Sequence, residues 1–334
     1  MSATPFAPSS PSLQRQGATI SAGRRVRNGA WWVLCALGFA LVAAPVVWIL
    51  VSVISNAASS WRWSIFTNSE GADYGGLLNA IEGTFVMMVG VALIAGFVGI
   101  GTGMWLAEVA KPGPLRAILR GASEVLSGIP SIVLGYVGYL ALVYELHWGF
   151  SLIPALVTLS VLVVPYVAKA TDLALSQVPV AYREGGEALG MRRTQVMGRI
   201  VLRSAIPGIA TGLILALAIS VGETAPLLYT AGTNSGYWNG AFIGPAATSQ
   251  MPFLTYATWT YYQVASPAAQ ALAHDAALLL VVLVVVLILS ARLVVRLTQK
   301  YSPERAATAG GGWRGRRAMR AMQRDTVQAT FGKR

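Results

Sequence analysis

The stretch that decides the fold is residues 208–231, GIATGLILALAISVGETAPLLYTA, an apolar run that contains one charged residue, Glu223. About 20 predominantly apolar residues are enough to form a membrane-spanning helix. A charged residue within such a helix costs about 2.5–3.5 kcal/mol on insertion scales, and such residues are usually functional. The run therefore predicts an integral membrane protein and makes Glu223 a candidate functional residue.

The composition of the whole chain also indicates a membrane protein. Of its 334 residues, 55% are hydrophobic and 11% are charged, whereas soluble domains carry about 25% charged residues. Spans must be helices, because backbone polar groups in lipid need partners within the same segment. We predict an all-α, polytopic membrane fold with six spans. They lie at about 31–54, 82–107, 122–143, 151–168, 208–230 and 275–297.

The net charge of +12 is explained by where the basic residues lie. Lys and Arg occur before the first span, between spans two and three, between spans four and five, and at the end of the sixth span and after it. Arg62 is the single exception among the 25. The positive-inside rule places these segments and both termini in the cytoplasm. The charge thus indicates a multi-pass plasma (inner) membrane protein and not a nucleic-acid-binding surface.

The chain divides into a permease domain, 30–300, and two basic flanking segments. Residues 1–29 are rich in Ser, Pro, Gly and Arg, and we expect them to be disordered. The tail, 301–334, is either disordered or lies on anionic membrane lipid, and both readings are open. The first apolar run is too long for a signal peptide and is expected to remain as an anchor. The single Cys and two His have no ligand spacing, so no metal site or cofactor is predicted.

The cytoplasmic loop, about 170–206, contains PVAYREGGEALGMRRTQVMGRIVLRSAIP at 179–207. Pro179 can begin a short helix and Gly190 can end it. Gly185 and Gly186 leave the middle of this helix without side chains. A helix of about ten residues is marginal alone, which favours docking into a groove on another protein. A solvated surface helix is the alternative. A second helix, from about Thr194 to Arg203, is expected to lead into the fifth span.

This loop resembles the EAA motif of ABC-importer permeases, in which E-A-A is followed by three residues, Gly, nine residues and I-x-L-P. Glu184, Gly190, Ile200 and Leu202 fall at that spacing, while a Gly-Gly pair replaces the alanines and Arg203 replaces the proline. Three further segments are similar to the permeases of phosphate importers of the PstA type. They are MWLAEVA (104–110), SGIPSIVLGY (127–136) and VGETAPLLYTA (221–231), and the resemblance covers about 30–300 in matching order.

The resemblance implies a type I ABC-importer permease fold and ATP-driven phosphate import. The implied partners are a second permease subunit of the PstC type, two ATPase subunits of the PstB type and an extracytoplasmic binding protein of the PstS type. The chain has no G-x-x-x-x-G-K-[ST] motif, so ATP is expected to bind the ATPase subunits, and this chain is not expected to be an enzyme. The residues implied to contact the ATPase are Tyr182, Arg183, Glu184, Gly185, Gly186, Glu187, Ala188, Leu189 and Gly190.

The candidate gate and pathway residues belong to the two specific segments in spans three and five. They are Ser127, Pro130, Ser131, Glu223, Thr224 and Pro226. A carboxylate repels phosphate, so two roles are open for Glu223. It pairs at a gate with a Lys or Arg of the partner subunit or of a mobile element, or it is protonated and structural. Pro226 is expected to disrupt the fifth span, where Thr224 could form a hydrogen bond.

Several alternatives stay open. No Lys or Arg lies deep in a predicted span. Lys169 and Arg203, near the cytoplasmic mouth, either anchor the protein or attract the departing anion. A permease for sulfate or molybdate, and a non-conducting membrane scaffold that senses phosphate, are the alternative functions.

Overall fold

The computed structural model describes residues 22–69, 75–232 and 248–299, and within those residues the regular elements are helices and no strand occurs. The predicted all-α fold is confirmed. The helices are α1 Ala22–Ser60, α2 Leu78–Val109, α3 Pro114–Gly128, α4 Ser131–Glu145, α5 Leu152–Ser176, α6 Val180–Ala188, α7 Arg193–Gly222, α8 Ala225–Thr230, α9 Leu254–Gln263 and α10 Pro267–Gln299.

Among the described residues, five helices are long and apolar enough to cross a membrane: α1, α2, α5, α7 and α10. Helices α3 and α4 form a pair bent by 101°, and they give a sixth crossing if the pair counts as one span. The six predicted spans correspond to these elements in order. The third predicted span, 122–143, is divided into two helices, because the backbone turns sharply at Ile129 and Pro130.

The helix ends differ from the predicted bounds wherever the chain becomes charged. Helix α1 begins at Ala22, so residues 22–29 are helical and not disordered, and residues 1–21 lie outside the described part. Helix α5 extends to Ser176, well past the predicted end at 168, and α7 begins at Arg193 instead of 208. The predicted cytoplasmic loop therefore shrinks to 177–192. The basic tail, 301–334, lies outside the described residues.

The chain forms two compact units, Met1–Ser52 and Val53–Arg334. In the second unit α5 is central, and it packs against α2, α7, α3 and α4. The close approach of α2 to α5 depends on two glycines. A Cβ atom on Gly99 would lie 2.7 Å from Val167 Cβ, and one on Gly103 would lie 2.5 Å from Thr171 Cβ. Small residues on α2 thus allow the two helices to approach closely.

Candidate functional site: the coupling turn and the paired helix breaks

The segment that we call the coupling turn is α6 with the residues that close it, 180–190. Its helix ends in a Schellman motif, in which Gly190 has a φ of 75°. The N–H of Gly190 donates to Glu187 O at 2.9 Å, and the N–H of Met191 donates to Gly186 O at 3.2 Å. Glycine adopts this left-handed conformation without the steric cost of a Cβ atom. The short helix predicted between Pro179 and Gly190 is confirmed.

One face of the coupling turn packs on the start of α7. A Cβ atom on Gly186 would lie 2.9 Å from Val196 Cγ2 and 3.0 Å from Ile200 Cδ1. Tyr182 packs against the same apolar cluster, which includes the buried side chains of Leu175 and Val201. Because Gly186 has no side chain, α6 packs closely against the start of α7 within this chain.

An ion pair fixes the same face of α6 to α2. Arg183 Nη2 lies 2.7 Å from Glu108 Oε1, and Arg183 Nη1 donates to Glu108 Oε2 at 2.8 Å. Arg183 Nη2 also donates to Leu175 O at 3.1 Å, near the end of α5. The pair thus combines one charge-assisted hydrogen bond with a second close contact of opposite charges. Arg183 therefore holds α6 against the ends of two membrane helices and does not lie on the solvent face.

The opposite face of the coupling turn is exposed. Glu184, Gly185, Ala188 and Leu189 lie on it, and 83% of Leu189 is accessible. A Cβ atom on Gly185 would have nothing within 4 Å. Glu187 lies 3.5 Å from Arg193, whose side chain is 93% exposed, so this pair adds little stability. An apolar residue and a bare stretch of backbone are thus available to another protein.

The first helix break lies between α3 and α4 and contains Ser127, Pro130 and Ser131. Ile129 is extended, with φ −71° and ψ 132°, as expected for a residue that precedes a proline. Pro130 precedes the first helical residue of α4, Ser131. Lys169 Nζ donates to Ser127 Oγ at 3.0 Å, and Tyr166 OH donates to Ser127 O at 3.4 Å. Two side chains of α5 therefore hold the end of α3.

The second helix break lies between α7 and α8. Glu223 is extended, with φ −75° and ψ 127°, and Pro226 lies in the first turn of α8. The break is where we expected it, but Pro226 begins the next helix instead of interrupting one. No cap or other hydrogen bond from the Thr224 hydroxyl is present in the described part of the chain. Thr255 Oγ1 donates to Glu223 O instead, at 3.2 Å.

The two breaks meet through α4 and α8, which pack together. A Cβ atom on Gly135 would lie 2.6 Å from Pro226 Cα and 3.2 Å from Ala225 O. Tyr136 and Tyr229 form an edge-to-face pair with ring centroids 5.9 Å apart. Since the atoms nearest to Gly135 belong to the backbone, no side-chain movement could make room for a larger residue there. The structure thus brings the GIPSI and GETAPLL segments together, as a pair separate from the coupling turn.

Glu223 is half-buried at the second break. No Lys or Arg side chain of the described residues lies within 4 Å of its carboxylate, since the ion pairs found there join other residues. A small cavity lies behind the break and is lined by Ser220, Thr255 and apolar side chains of α2 and α5. A cation that pairs with Glu223 would have to come from outside the described part of this chain.

Sequence reasoning missed the residues that bind across large sequence separations. Glu108 is 75 residues from Arg183, and Lys169 is 42 residues from Ser127. Glu108 lies in MWLAEVA, one of the segments that carry the family resemblance, so its position there could have identified it as a candidate functional residue. Nothing in the local pattern singled out Thr255.

Three features are combined in this chain: several membrane-crossing helices, two helix breaks that pack together, and an exposed coupling turn. Together they define a polytopic membrane permease. The chain belongs to the family of binding-protein-dependent transport system inner membrane components, whose family model matches residues 99–301. It is a multi-pass plasma membrane protein, as predicted.

Relatives and solved structures agree with this assignment. The chain is 47% identical over 290 residues to "Phosphate transport system permease protein PstA 2" of Mycobacterium tuberculosis, and the match covers 87% of this chain and 95% of that protein. It is 36% identical to the PstA protein of Xylella fastidiosa over 66% of this chain and 75% of that protein. A bacterial ABC transporter that imports the acidic polysaccharide alginate matches with a TM-score of 0.54 and 18% identity, over 80% of this chain and 96% of that chain. This likeness shows the fold, that of a type I ABC-importer permease.

Proposed function

We propose that this chain is a permease subunit of an ATP-driven importer of inorganic phosphate. It forms the translocation pathway with a second permease subunit of the PstC type. A binding protein of the PstS type delivers phosphate on the outside, and two ATPase subunits of the PstB type bind ATP in the cytoplasm. Relatives named as phosphate transport permeases, one of them matched over 95% of its length, support phosphate as the substrate.

The observation that carries the coupling role is the division of the coupling turn into two faces. Its inner face is occupied by Gly186 and by the Arg183–Glu108 pair, so a force applied to α6 reaches α2 and α5 directly. Its outer face exposes Leu189 and the backbone of Gly185, which suits a groove on another protein. In this proposal the ATPase contacts Glu184, Gly185, Ala188 and Leu189, while Tyr182, Arg183 and Gly186 transmit the movement.

The packed helix breaks form the gate in this proposal. Discontinuous membrane helices are the usual place for substrate passage in transporters. Ser127, Pro130 and Ser131 lie at one break, and Glu223, Thr224 and Pro226 lie at the other. Because no cation of the described residues pairs with Glu223, we assign its partner at the gate to a Lys or Arg of the second permease subunit.

Uptake by the reconstituted complex tests this function. We expect proteoliposomes that contain the two permeases and the ATPase to accumulate radiolabelled phosphate when loaded binding protein and ATP are supplied. Sulfate and molybdate serve as controls. Uptake of sulfate or molybdate in place of phosphate would favour the alternative oxyanion permease. ATPase stimulation by loaded binding protein without any uptake would favour a sensing scaffold.

A further inference from the structure

A polar stripe runs along the facing sides of α3 and α5. Arg120, Ser123 and Ser127 are spaced by three and four residues and so share one face of α3. Lys169 and Asp172 share a face of α5 in the same way. Four of these side chains, those of Arg120, Ser123, Lys169 and Asp172, line a cleft of about 420 Å³ between the two helices. At the end of the stripe, close to the last residue of α3, Ser127 Oγ accepts a hydrogen bond from Lys169 Nζ.

Among the described residues, the cation of this cleft that belongs to no ion pair is Lys169. Arg120 Nη2 lies 2.7 Å from Asp172 Oδ2, so these two neutralise each other. Lys169 Nζ is bonded to the neutral hydroxyl of Ser127 and has no carboxylate within 4 Å in the described part of the chain. An ammonium group has three N–H donors, so two remain for another acceptor.

Lys169 also lies within helix α5 and not at its end, where the sequence placed it. Helix α5 has 25 residues, about 37 Å, which exceeds the roughly 30 Å of a bilayer core. Lys169 is about 10 Å, measured along the helix, from the last residue, Ser176. Anchoring residues of the positive-inside kind lie at helix ends, but this one lies inside the helix and beside a break. A charged residue within a membrane-crossing helix is a candidate for a functional site.

We propose that Lys169, together with the hydroxyl groups of Ser127 and Ser123, forms a transient binding site for phosphate on the inward side of the helix breaks. This inference rests on the proposed function. The ammonium group and the Ser123 hydroxyl can donate to phosphate oxygens. The Ser127 hydroxyl now donates to Glu124 O at 2.9 Å and would have to rotate to do the same. Glu124 lines the same cleft and opposes tight retention of an anion. A weak site is what a pathway needs, because the ion must leave as well as enter.

Chemical rescue of the charge tests the site. Cys35 is the chain's single cysteine, so Cys35→Ala gives a background in which a new cysteine is unique. In this background Lys169→Cys is expected to slow phosphate uptake by the reconstituted complex about tenfold to hundredfold, because charge-assisted hydrogen bonds to phosphate are lost. Labelling in detergent with aminoethyl methanethiosulfonate, checked by mass spectrometry, restores a positive charge and should restore uptake. The neutral methyl reagent should not.

Two further variants separate substrate binding from support of the bend. Lys169→Arg keeps the charge and should keep most of the uptake. Ser127→Ala removes the Lys169–Ser127 bond but keeps the ammonium group, so it should reduce uptake less than Lys169→Cys does. Uptake by Lys169→Cys equal to that of the Cys35→Ala background would overturn the proposal. So would equal rescue by both reagents, or a loss in Ser127→Ala as large as in Lys169→Cys. A wild-type complex that takes up no phosphate would contradict the proposed function instead, so the two failures are distinguishable.

Discussion

The coupling turn and the paired helix breaks are both places where membrane helices end and restart, but they are held together in different ways. The coupling turn is attached through the ion pair Arg183–Glu108, and it exposes its other face. The breaks are attached through a glycine whose nearest neighbours are the backbone atoms of Pro226 and Ala225. An ion pair depends on two side chains, which one substitution can remove, whereas a close contact with backbone atoms cannot be relieved by moving a side chain. The comparison indicates that α4 and α8 move as one unit and that α6 is joined to α2 through side chains.

The largest expected effect is that of filling the contact between the breaks. Gly135→Ala places a Cβ atom 2.6 Å from Pro226 Cα and 3.2 Å from Ala225 O, and neither backbone can move alone. We expect a loss of stability of about 1–3 kcal/mol or more, the usual range for overpacking, together with loss of phosphate uptake. Thermal unfolding of the purified protein in detergent measures this. Gly121→Ala, on α3, is the matched control, because a Cβ atom there would have nothing within 4 Å. Equal stability of the two variants would show that the breaks are not rigidly packed.

The second effect is the loss of the ion pair at the coupling turn. Arg183→Gln leaves the Glu108 carboxylate, 18% exposed, without its cation, which costs about 1–3 kcal/mol. We expect ATPase activity of the complex to persist while phosphate uptake falls, because α6 no longer moves α2. Arg193→Gln is the control, since its partner Glu187 is exposed and 3.5 Å away. If Arg183→Gln kept normal uptake per ATP hydrolysed, the ion pair would not be the link.

A smaller effect separates the two glycines of the coupling turn. Gly185→Ala has open space around its Cβ atom and should stabilise α6 by up to about 1 kcal/mol, because Ala has the higher helix propensity. Gly186→Ala adds the same propensity but meets Val196 and Ile200, which offsets the gain. Hydrogen exchange of the α6 amides compares the two variants. Greater protection in Gly186→Ala than in Gly185→Ala would contradict the assignment of the inner face.

The smallest effect on stability is expected for Glu223→Gln. The carboxylate has no cation within 4 Å among the described residues, so its neutral isostere should leave the thermal unfolding of this chain nearly unchanged. Uptake by the whole complex should nevertheless fall if Glu223 pairs with the second permease subunit at a gate. Wild-type uptake with unchanged ATPase coupling would eliminate the gate pair and leave a protonated, structural Glu223.

The sequence predicted what depends on local pattern. Apolar runs gave the six crossings, and Pro179 with Gly190 gave the bounds of α6 to within a residue or two. It failed where helix ends depend on distant partners. The predicted fourth span stopped at 168 because Lys169 is charged, yet α5 continues, since Lys169 bonds to Ser127 and Asp172 to Arg120. The angle of the bend at Pro130, 101°, was not predicted, because a proline indicates that a helix is interrupted and not the angle at which it resumes.

Site-directed crosslinking at the coupling turn tests the central claim, that α6 is the link to a separate ATPase, most directly. In the Cys35→Ala background, Leu189→Cys is placed on the exposed face of α6 and Leu146→Cys, also exposed, after the far end of α4. We predict that a short bifunctional reagent joins Leu189→Cys, and not Leu146→Cys, to a co-purifying ATPase chain in the intact complex. The account would be contradicted if neither variant crosslinked to an ATPase chain and this chain transported phosphate in the absence of any ATPase.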